Sequence, residues 1–430
     1  MIVLVIVTCV FIAYALFSRR LLETSLSPYM VFVTVGIVVS LAGLISMEEH
    51  DEGMLLLGEV TLALILFTDA ARIDIRALRG SAEIPARLLL VGLPLTILLG
   101  TVAAALLFPE LLILEAAILA VVLAPTDAGL GQAVVNSPLV PVRMREALNV
   151  ESGLNDGIAT PILMIFIALA EAEATHEVGF WFGYAVQELL FGLLVGLLVG
   201  VVGGWLLGQA SKNNAMLTIY RWLTFGALAI LAWSLGGVVG GNGFIAAFVA
   251  GLMTAIMLGH VGKGTVEFGE ATGQLLSLAV FFLFGVLLVG NRANLNWSMV
   301  LYGILSLTAI RMIPVALALM GARLRPASTV FLGWFGPRGL ASIVLALIVV
   351  KEAGGLQGLD TIISAVMVTV LFSIFAHGIT AQPAIQRYTR RLADIHEAAP
   401  ELQDVTQMPT RRTASPLIRL IQEEVENTPS

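Results

Sequence analysis

Long apolar stretches alternate with short polar ones along most of the chain, and the pattern predicts thirteen helical spans. They lie at about 2–18, 28–46, 54–71, 86–108, 111–136, 148–170, 181–210, 218–239, 241–259, 272–290, 298–321, 328–350 and 360–381. Several run past about 18 apolar residues, the length at which a helix crosses a bilayer. The stretch 386–430 is polar, apart from a short amphipathic segment at 416–427. The expected fold class is an all-α polytopic membrane protein.

Composition sharpens this picture. Of 430 residues, 58% are hydrophobic and 12% charged, against about 25% charged in a soluble domain. The single cysteine, Cys9, excludes an intrachain disulfide, and no Cys/His cluster offers a zinc site. Charge placement sets the orientation, because lysine and arginine concentrate in cytoplasmic connections. With the N-terminus outside, sixteen of them, from Arg19 and Arg20 to Arg390 and Arg391, fall on inner connections. Only Arg292 and Lys351 fall on outer ones. The first apolar run is read as a retained helix, since Arg19 and Arg20 follow it where a signal peptide has its basic residues in front.

Two arginines, Arg311 and Arg338, lie inside spans, where a charge is costly unless it is paired or faces a cavity. Two spans read as broken. Span 5 contains A-P-T-D-A-G (124–129), and span 12 contains F-G-P-R-G-L (335–340), with Gly336, Pro337, Arg338 and Gly339 at its centre. Proline removes a backbone donor and glycine loosens a helix. Irregular backbone at membrane depth survives only where it is buried or lines a cavity. If spans 1–6 (about 1–171) and 8–13 (about 217–382) are two repeats joined by a linker helix at 181–210, the two breaks are equivalent and the repeats are inverted. Interrupted helices so related point to a secondary-transporter site. Within the linker, Gly192, Gly196, Gly200, Gly204 and Gly208 form a smooth strip suited to close helix packing.

The chemistry concentrates in Asn149–Pro161, N-V-E-S-G-L-N-D-G-I-A-T-P. Glu151 and Asn155 share one helix face, and Ser152 and Asp156 the adjacent one. The break in span 5 offers Thr126 and Asp127 across from them. Burial raises a carboxylate's proton affinity, and a bound cation lowers it. One acid can therefore hold either a proton or a hard, oxygen-loving cation, and Asp156 is the expected carrier. Glu151 is the expected partner of Arg311, since a buried arginine needs one. Asp69, at the end of span 3, either reaches the same cavity or marks the inner helix end. Asp127 is either an ion ligand or a cap at the break. Arg338 either touches the ion or positions backbone. Glu59 and Glu115 are read as structural acids near the interfaces.

Taken together these elements resemble the cation:proton antiporter 1 family, the NhaP-type sodium/proton antiporters. Asn149–Pro161 is similar to its Asn-Asp signature, 124–129 to its Thr-Asp-Pro element with Ala128 in the usual proline position, and 336–339 to its Gly-Arg-Gly element. The segments L-F-T-D-A-A-R-I-D-I-R-A-L-R and G-N-G-F-I-A-A-F-V-A-G-L resemble others. The resemblance covers residues 1–385. It implies an NhaA-like antiporter fold, a six-helix core moving against a dimerisation domain, a homodimer in the plasma (inner) membrane, and a short cytoplasmic tail at 386–430. It further implies that Asp156 binds Na⁺ or Li⁺ in exchange for H⁺, helped by Ser152, Asp127, a Thr126 backbone oxygen and Asp69. Asn155 would orient these groups, and Glu151 and Arg311 would form a structural ion pair. A single titrating carboxylate implies an electroneutral cycle, serving pH homeostasis without a cofactor or nucleic-acid partner.

Potassium/proton exchange on the same scaffold is the alternative. A cation channel is more remote, as is an intramembrane protease using Asp127 and Asp156, which would need two acids sharing a proton. A nucleotide-driven pump is disfavoured. G-H-V-G-K-G-T (259–265) fails as a phosphate loop, because glycine follows Lys263 and Met257 holds the first-glycine position.

Overall fold

The computed structural model describes residues 2–21, 24, 26–45, 52–73, 83–175, 178–259, 261–291, 295–392 and 399–403. Among them every ordered element is helical. The chain runs through α1 (Ile2–Leu21), α2 (Pro28–Leu41), α3 (Glu52–Ala71), α4 (Glu83–Leu107), α5 (Ile113–Val122) and the short α6 (Gln132–Val135). It continues through α7 (Val142–Thr175), α8 (Val178–Lys212), α9 (Thr218–Val238), α10 (Gly243–Leu258) and α11 (Lys263–Gly290). Last come α12 (Trp297–Leu307), α13 (Ala309–Ala318), α14 (Pro326–Trp334), α15 (Leu340–Glu352) and α16 (Leu359–Leu392). Nine helices among the described residues are long and apolar enough to cross a membrane, and α2, α5 and α10 are shorter apolar ones. Each expected span falls on helix, with spans 5 and 12 split where proline and glycine interrupt them.

The departures are local. In α4 the turn Leu88–Gly92 widens to a π-helix, closed by the Leu93 amide on the Leu88 carbonyl. Pro94 follows directly, and its ring and missing N–H disfavour ordinary α-helical bonding one turn earlier. Span 11 kinks at Thr308 (φ −112°, ψ −94°), between α12 and α13. Span 13 continues beyond 381 to Leu392, because its extension is amphipathic. Ile385, Tyr388 and Leu392 pack with Val140, Phe331 and Phe335, and the Tyr388 and Phe331 rings stack 4.2 Å apart. A turn at Pro400–Leu402 then returns to the bundle. There the buried Glu401 accepts from the Arg325 amide (2.7 Å) and Ser328 Oγ (2.8 Å) at the start of α14. Arg143 Nη1 donates to the Pro400 carbonyl, 2.7 Å. The amphipathic segment 416–427 lies outside the described residues.

The glycine strip of α8 meets the backbone of α10. A Cβ on Gly192 would sit 2.7 Å from the Asn242 carbonyl oxygen, on Gly196 2.7 Å from that of Ala246, and on Gly200 2.6 Å from that of Ala250. Opposing backbone cannot rotate away as a side chain can. Gly200→Ala is therefore expected to destabilise the protein by about 1–3 kcal/mol, the usual cost of overpacking. At Gly208 a Cβ meets only Leu258 Cδ2, at 3.6 Å, so Gly208→Ala is expected to be neutral. Thermal unfolding in detergent checks the pair, and equal midpoints for the two variants would remove the strip's role.

The bundle has one end rich in bound arginines. Arg72 holds Asp69 and Glu270, Arg87 Nη1 donates to the Met320 carbonyl, and Arg143 Nη2 pairs with Glu83. This basic end carries the last turn of α3 and the first turns of α4, α7 and α11. At the opposite end Lys351 Nζ pairs with Glu59 at 2.8 Å. The buried Glu115 accepts there from the Leu112 and Gly358 amides, both at 2.9 Å.

Candidate functional site

The two broken spans cross, and their charged residues serve each other's loose ends. Pro125 has no N–H and disfavours helix for Ala124, so α5 stops with free carbonyls. Arg338 Nη1 reaches them from span 12, 2.6 Å from the Ala124 oxygen and 3.0 Å from that of Pro125. This side chain is fully buried. A guanidinium at the C-terminal end of a half-helix also complements its dipole. In return the Asp127 amide donates to the Pro337 carbonyl, 2.8 Å. Asp127 Oδ2 accepts from the Leu340 amide at the start of α15, 2.6 Å, and Oδ1 accepts from Gly129 (2.6 Å) and Leu130 (3.2 Å).

The motif 336–339 now has a physical reading. A Cβ on Gly339 would collide with the Asp127 carboxylate, and a Cβ on Gly336 would stand 2.5 Å from Arg311 Nε. Pro337 supplies the carbonyl, and Arg338 the cation. Both oxygens of Asp127 thus accept from backbone amides, the bonding of a cap, while the side chain also lines the chamber described below. The hydrogen bonds of Arg338 are those of a group that positions backbone.

The long helix α7 crosses beside this knot. Asn155 Nδ2 donates to Thr126 Oγ1 at 2.7 Å, and Thr126 Oγ1 and Ser152 Oγ are 2.9 Å apart. All three residues are buried. Asn155 Oδ1 is buried with no hydrogen-bond partner among the described residues. One turn away, Arg311 forks onto Glu151, with Nη1 to Oε1 at 2.6 Å and Nη2 to Oε2 at 2.8 Å. Both side chains are 3% exposed, so this is a sealed, bidentate, charge-assisted pair.

Asp156, Asp127 and Asp69 line one small chamber together with Tyr29, Ser277 and Leu340. Its volume, about 10 Å³, is that of one water-sized occupant. Tyr29, Ile65 and Asp69 also line a second cavity of about 110 Å³, which adds Glu267, Glu270 and Gln132 at the basic end. A third cavity, about 570 Å³, lies at the opposite end among Glu59, Glu188, Trp233, Gly240, Lys351 and Glu352. It shares no described lining residue with the chamber. The chamber therefore lies next to the basic-end cavity, with Tyr29, Ile65 and Asp69 as their shared wall. Asp69 stands in that wall while Arg72 Nη2 holds it at 2.7 Å. Glu59 and Glu115 stay outside the chamber, bound as described above.

Sequence reasoning missed Tyr29, Ser277, Glu270 and the ties from α16 to the broken span 12. A tyrosine or serine in an apolar helix carries no spacing signature, and only the folded arrangement brings it to the chamber.

Comparison with known proteins follows the same lines. The profile of the transmembrane sodium/hydrogen exchanger family matches residues 6–387. A Na(+)/H(+) antiporter of Schizosaccharomyces pombe is 25% identical over 262 residues, covering 56% of this chain and 55% of that protein. The K(+)/H(+) antiporter NhaP2 of Shewanella sp. (strain ANA-3) is 24% identical over 369 residues, covering 81% of this chain and 60% of that protein. The chain thus spans little more than half the length of these curated relatives. Among solved structures, the sodium proton antiporter MjNhaP1 from Methanocaldococcus jannaschii aligns with a TM-score of 0.73 at 16% identity, covering 92% of this chain and 99% of that one. The shared architecture is the NhaA-like antiporter fold.

Proposed function

This chain belongs to the transmembrane sodium/hydrogen exchanger family, and from that premise we propose that it exchanges Na⁺ or Li⁺ for H⁺ at Asp156. The family is one of transporters and not of enzymes. The observation that carries the reading is the chamber: Asp156 lines a space of single-ion size between two crossed, broken helices. That space shares Tyr29, Ile65 and Asp69 with the wall of the basic-end cavity.

The chemistry is a competition. A carboxylate can hold a proton or stand beside a cation, and each lowers its affinity for the other. Hard cations take oxygen ligands, and the Ser152 and Thr126 hydroxyls and Asn155 Oδ1 are neutral oxygens on the same two elements. Asp127 and Arg338 act as caps that hold the breaks, and Asp69 as an acid at the mouth of the chamber. With Glu151 bound to Arg311, one titrating carboxylate gives about one proton per cation, an electroneutral cycle. Exchange then needs only a protein that reorients when Asp156 holds either ion. Such a cycle would close the basic-end cavity and open the chamber to the cavity of about 570 Å³ at the opposite end.

The same reading assigns a transmembrane exchanger domain to residues 1–385 and a tail to 386–430. It includes a homodimer in the plasma membrane, with the N-terminus outside and the basic end cytoplasmic. The alternative is K⁺/H⁺ exchange. It is favoured by the Shewanella relative, named for that activity and aligned over 81% of this chain.

Purified protein in vesicles with an imposed pH gradient tests both. Collapse of the gradient on adding Na⁺ or Li⁺ is the expected result. A response to K⁺ alone keeps the site and changes the ion. Cation flux without proton movement would make the protein a channel and end the proposal.

A further inference from the structure

We infer that His377 and Ser373, on α16, are positioning residues that hold the gap of span 12 in the shape the chamber requires. The inference deepens the exchange reading, and its tie to transport rests on that reading. Both side chains are buried, His377 at 2% exposure and Ser373 at 0%. Neither takes part in the competition at Asp156.

The hydrogen bonds form one chain across the gap. The Arg338 amide donates to Ser373 Oγ at 2.6 Å. Ser373 Oγ lies 3.2 Å from His377 Nδ1, and His377 Nε2 lies 2.8 Å from the Trp334 carbonyl oxygen. Trp334 ends α14, and Arg338 stands just before α15. The relay therefore ties both lips of the gap to one continuous helix.

Its protons can be placed by what each partner can do. Ser373 Oγ accepts from the Arg338 amide, so its own hydrogen is free for Nδ1. A ring proton on Nε2 donates to the Trp334 carbonyl, and one on Nδ1 to the Ser373 carbonyl at 2.9 Å. A neutral ring serves one of these two carbonyls at a time. A charged ring would add a third buried cation beside Arg311 and Arg338. A further tie, from Trp334 Nε1 to Thr380 Oγ1 at 2.9 Å, fixes the same lip to α16.

The gap is not passive. Its Pro337 carbonyl receives the Asp127 amide, its Arg338 guanidinium holds the Ala124 and Pro125 carbonyls, and Leu340 and Asp127 are walls of the chamber. A lip that drifts carries the Thr126–Asp127 backbone with it. Small misplacements at a functional centre have large effects on its performance.

Four variants form the test: His377→Phe and Ser373→Ala, which remove the relay, and His377→Gln and Ser373→Thr, which keep a donor or hydroxyl. Two readouts are needed. In vesicles, His377→Phe and Ser373→Ala are expected to raise the apparent KM for Na⁺ or Li⁺ about tenfold, with His377→Gln and Ser373→Thr close to wild type. A merely structural role would lower the maximal rate through lost protein and leave KM alone. The pH profile of His377→Gln should match wild type, because the ring ties the lips of the gap and does not carry the exchanged proton. The second readout is amide hydrogen exchange across 335–341, which does not depend on transport. It should quicken in His377→Phe and Ser373→Ala and stay slow in the other two.

An unchanged KM in folded His377→Phe, a Gln variant as impaired as the Phe variant, or a shifted pH profile would overturn the inference. If wild-type vesicles exchange none of Na⁺, Li⁺ and K⁺, the exchange reading fails instead. Amide exchange across 335–341 then decides the positioning claim alone, and unaltered exchange in His377→Phe would end it.

Discussion

Replacing Asp156 by asparagine is expected to reduce Na⁺- or Li⁺-driven proton movement in vesicles to the level of protein-free controls. Asparagine keeps the size of the side chain and removes the group that both ions share. The chamber, about 10 Å³, leaves little room for water to substitute for the lost oxygen charge. Neighbouring acids are poor replacements. Both oxygens of Asp127 accept from backbone amides, Glu151 is forked by Arg311, and Asp69 is held by Arg72. The variant should fold, since a neutral side chain in a buried site is no harder to accommodate than a charged one. A well-folded Asp156→Asn protein that still exchanges would move the carrier to another residue, with Asp69 the first to examine because it lines the same chamber.

The second large effect concerns stability. Arg311→Met leaves the Glu151 carboxylate buried without its partner, and Glu151→Gln leaves Arg311 half-bound. Breaking a sealed ion pair from one side costs about 3–5 kcal/mol. Either single variant should therefore unfold at a clearly lower temperature in detergent. Removing both charges should recover much of that loss, because the desolvation cost goes with them. Two further contacts sharpen the expectation. Gly336 packs directly on the Arg311 guanidinium, and Glu151 lies one residue from Ser152. The double variant is thus expected to regain stability ahead of transport. Single variants as stable as wild type would mean that the pair is not a strut between span 6 and span 11.

Much of the architecture was legible in the chain because bilayer thickness and backbone chemistry leave few choices. Each of the thirteen apolar stretches falls on helix among the described residues, and Pro125 and Pro337 marked the breaks. Glycine every fourth residue in 192–208 meant a smooth face, and α10 is what lies on it. The ends of elements were less legible. Span 13 extends to Leu392 because Tyr388 and Leu392 find partners on α14 and around Val140, and hydropathy alone does not report partners. The kink at Thr308 carried no sequence signal.

For the site, residue types and spacings indicated which groups are chemically expensive, but not where each one's hydrogen bonds go. The need of a buried arginine for a counter-charge drew attention to Arg311 and Glu151. For Asp127 both a ligand and a cap were consistent with the sequence; the fold gives it three backbone amides from two spans as well as a place on the chamber wall. The partners of the Arg338 guanidinium lie more than 200 residues away and are carbonyls, which every residue has. Ser373 and His377 were invisible for a related reason: a lone serine and histidine one turn apart in an apolar helix look like ordinary core residues.

In the proposed cycle one carboxylate, Asp156, trades a proton for a cation. Proton release on cation binding to the purified protein, with no gradient and no membrane, tests it most directly. Near neutral pH, Na⁺ or Li⁺ should displace about one proton per cation bound from wild type, and none from Asp156→Asn. Cation binding without proton release, or release that survives in Asp156→Asn, would contradict it.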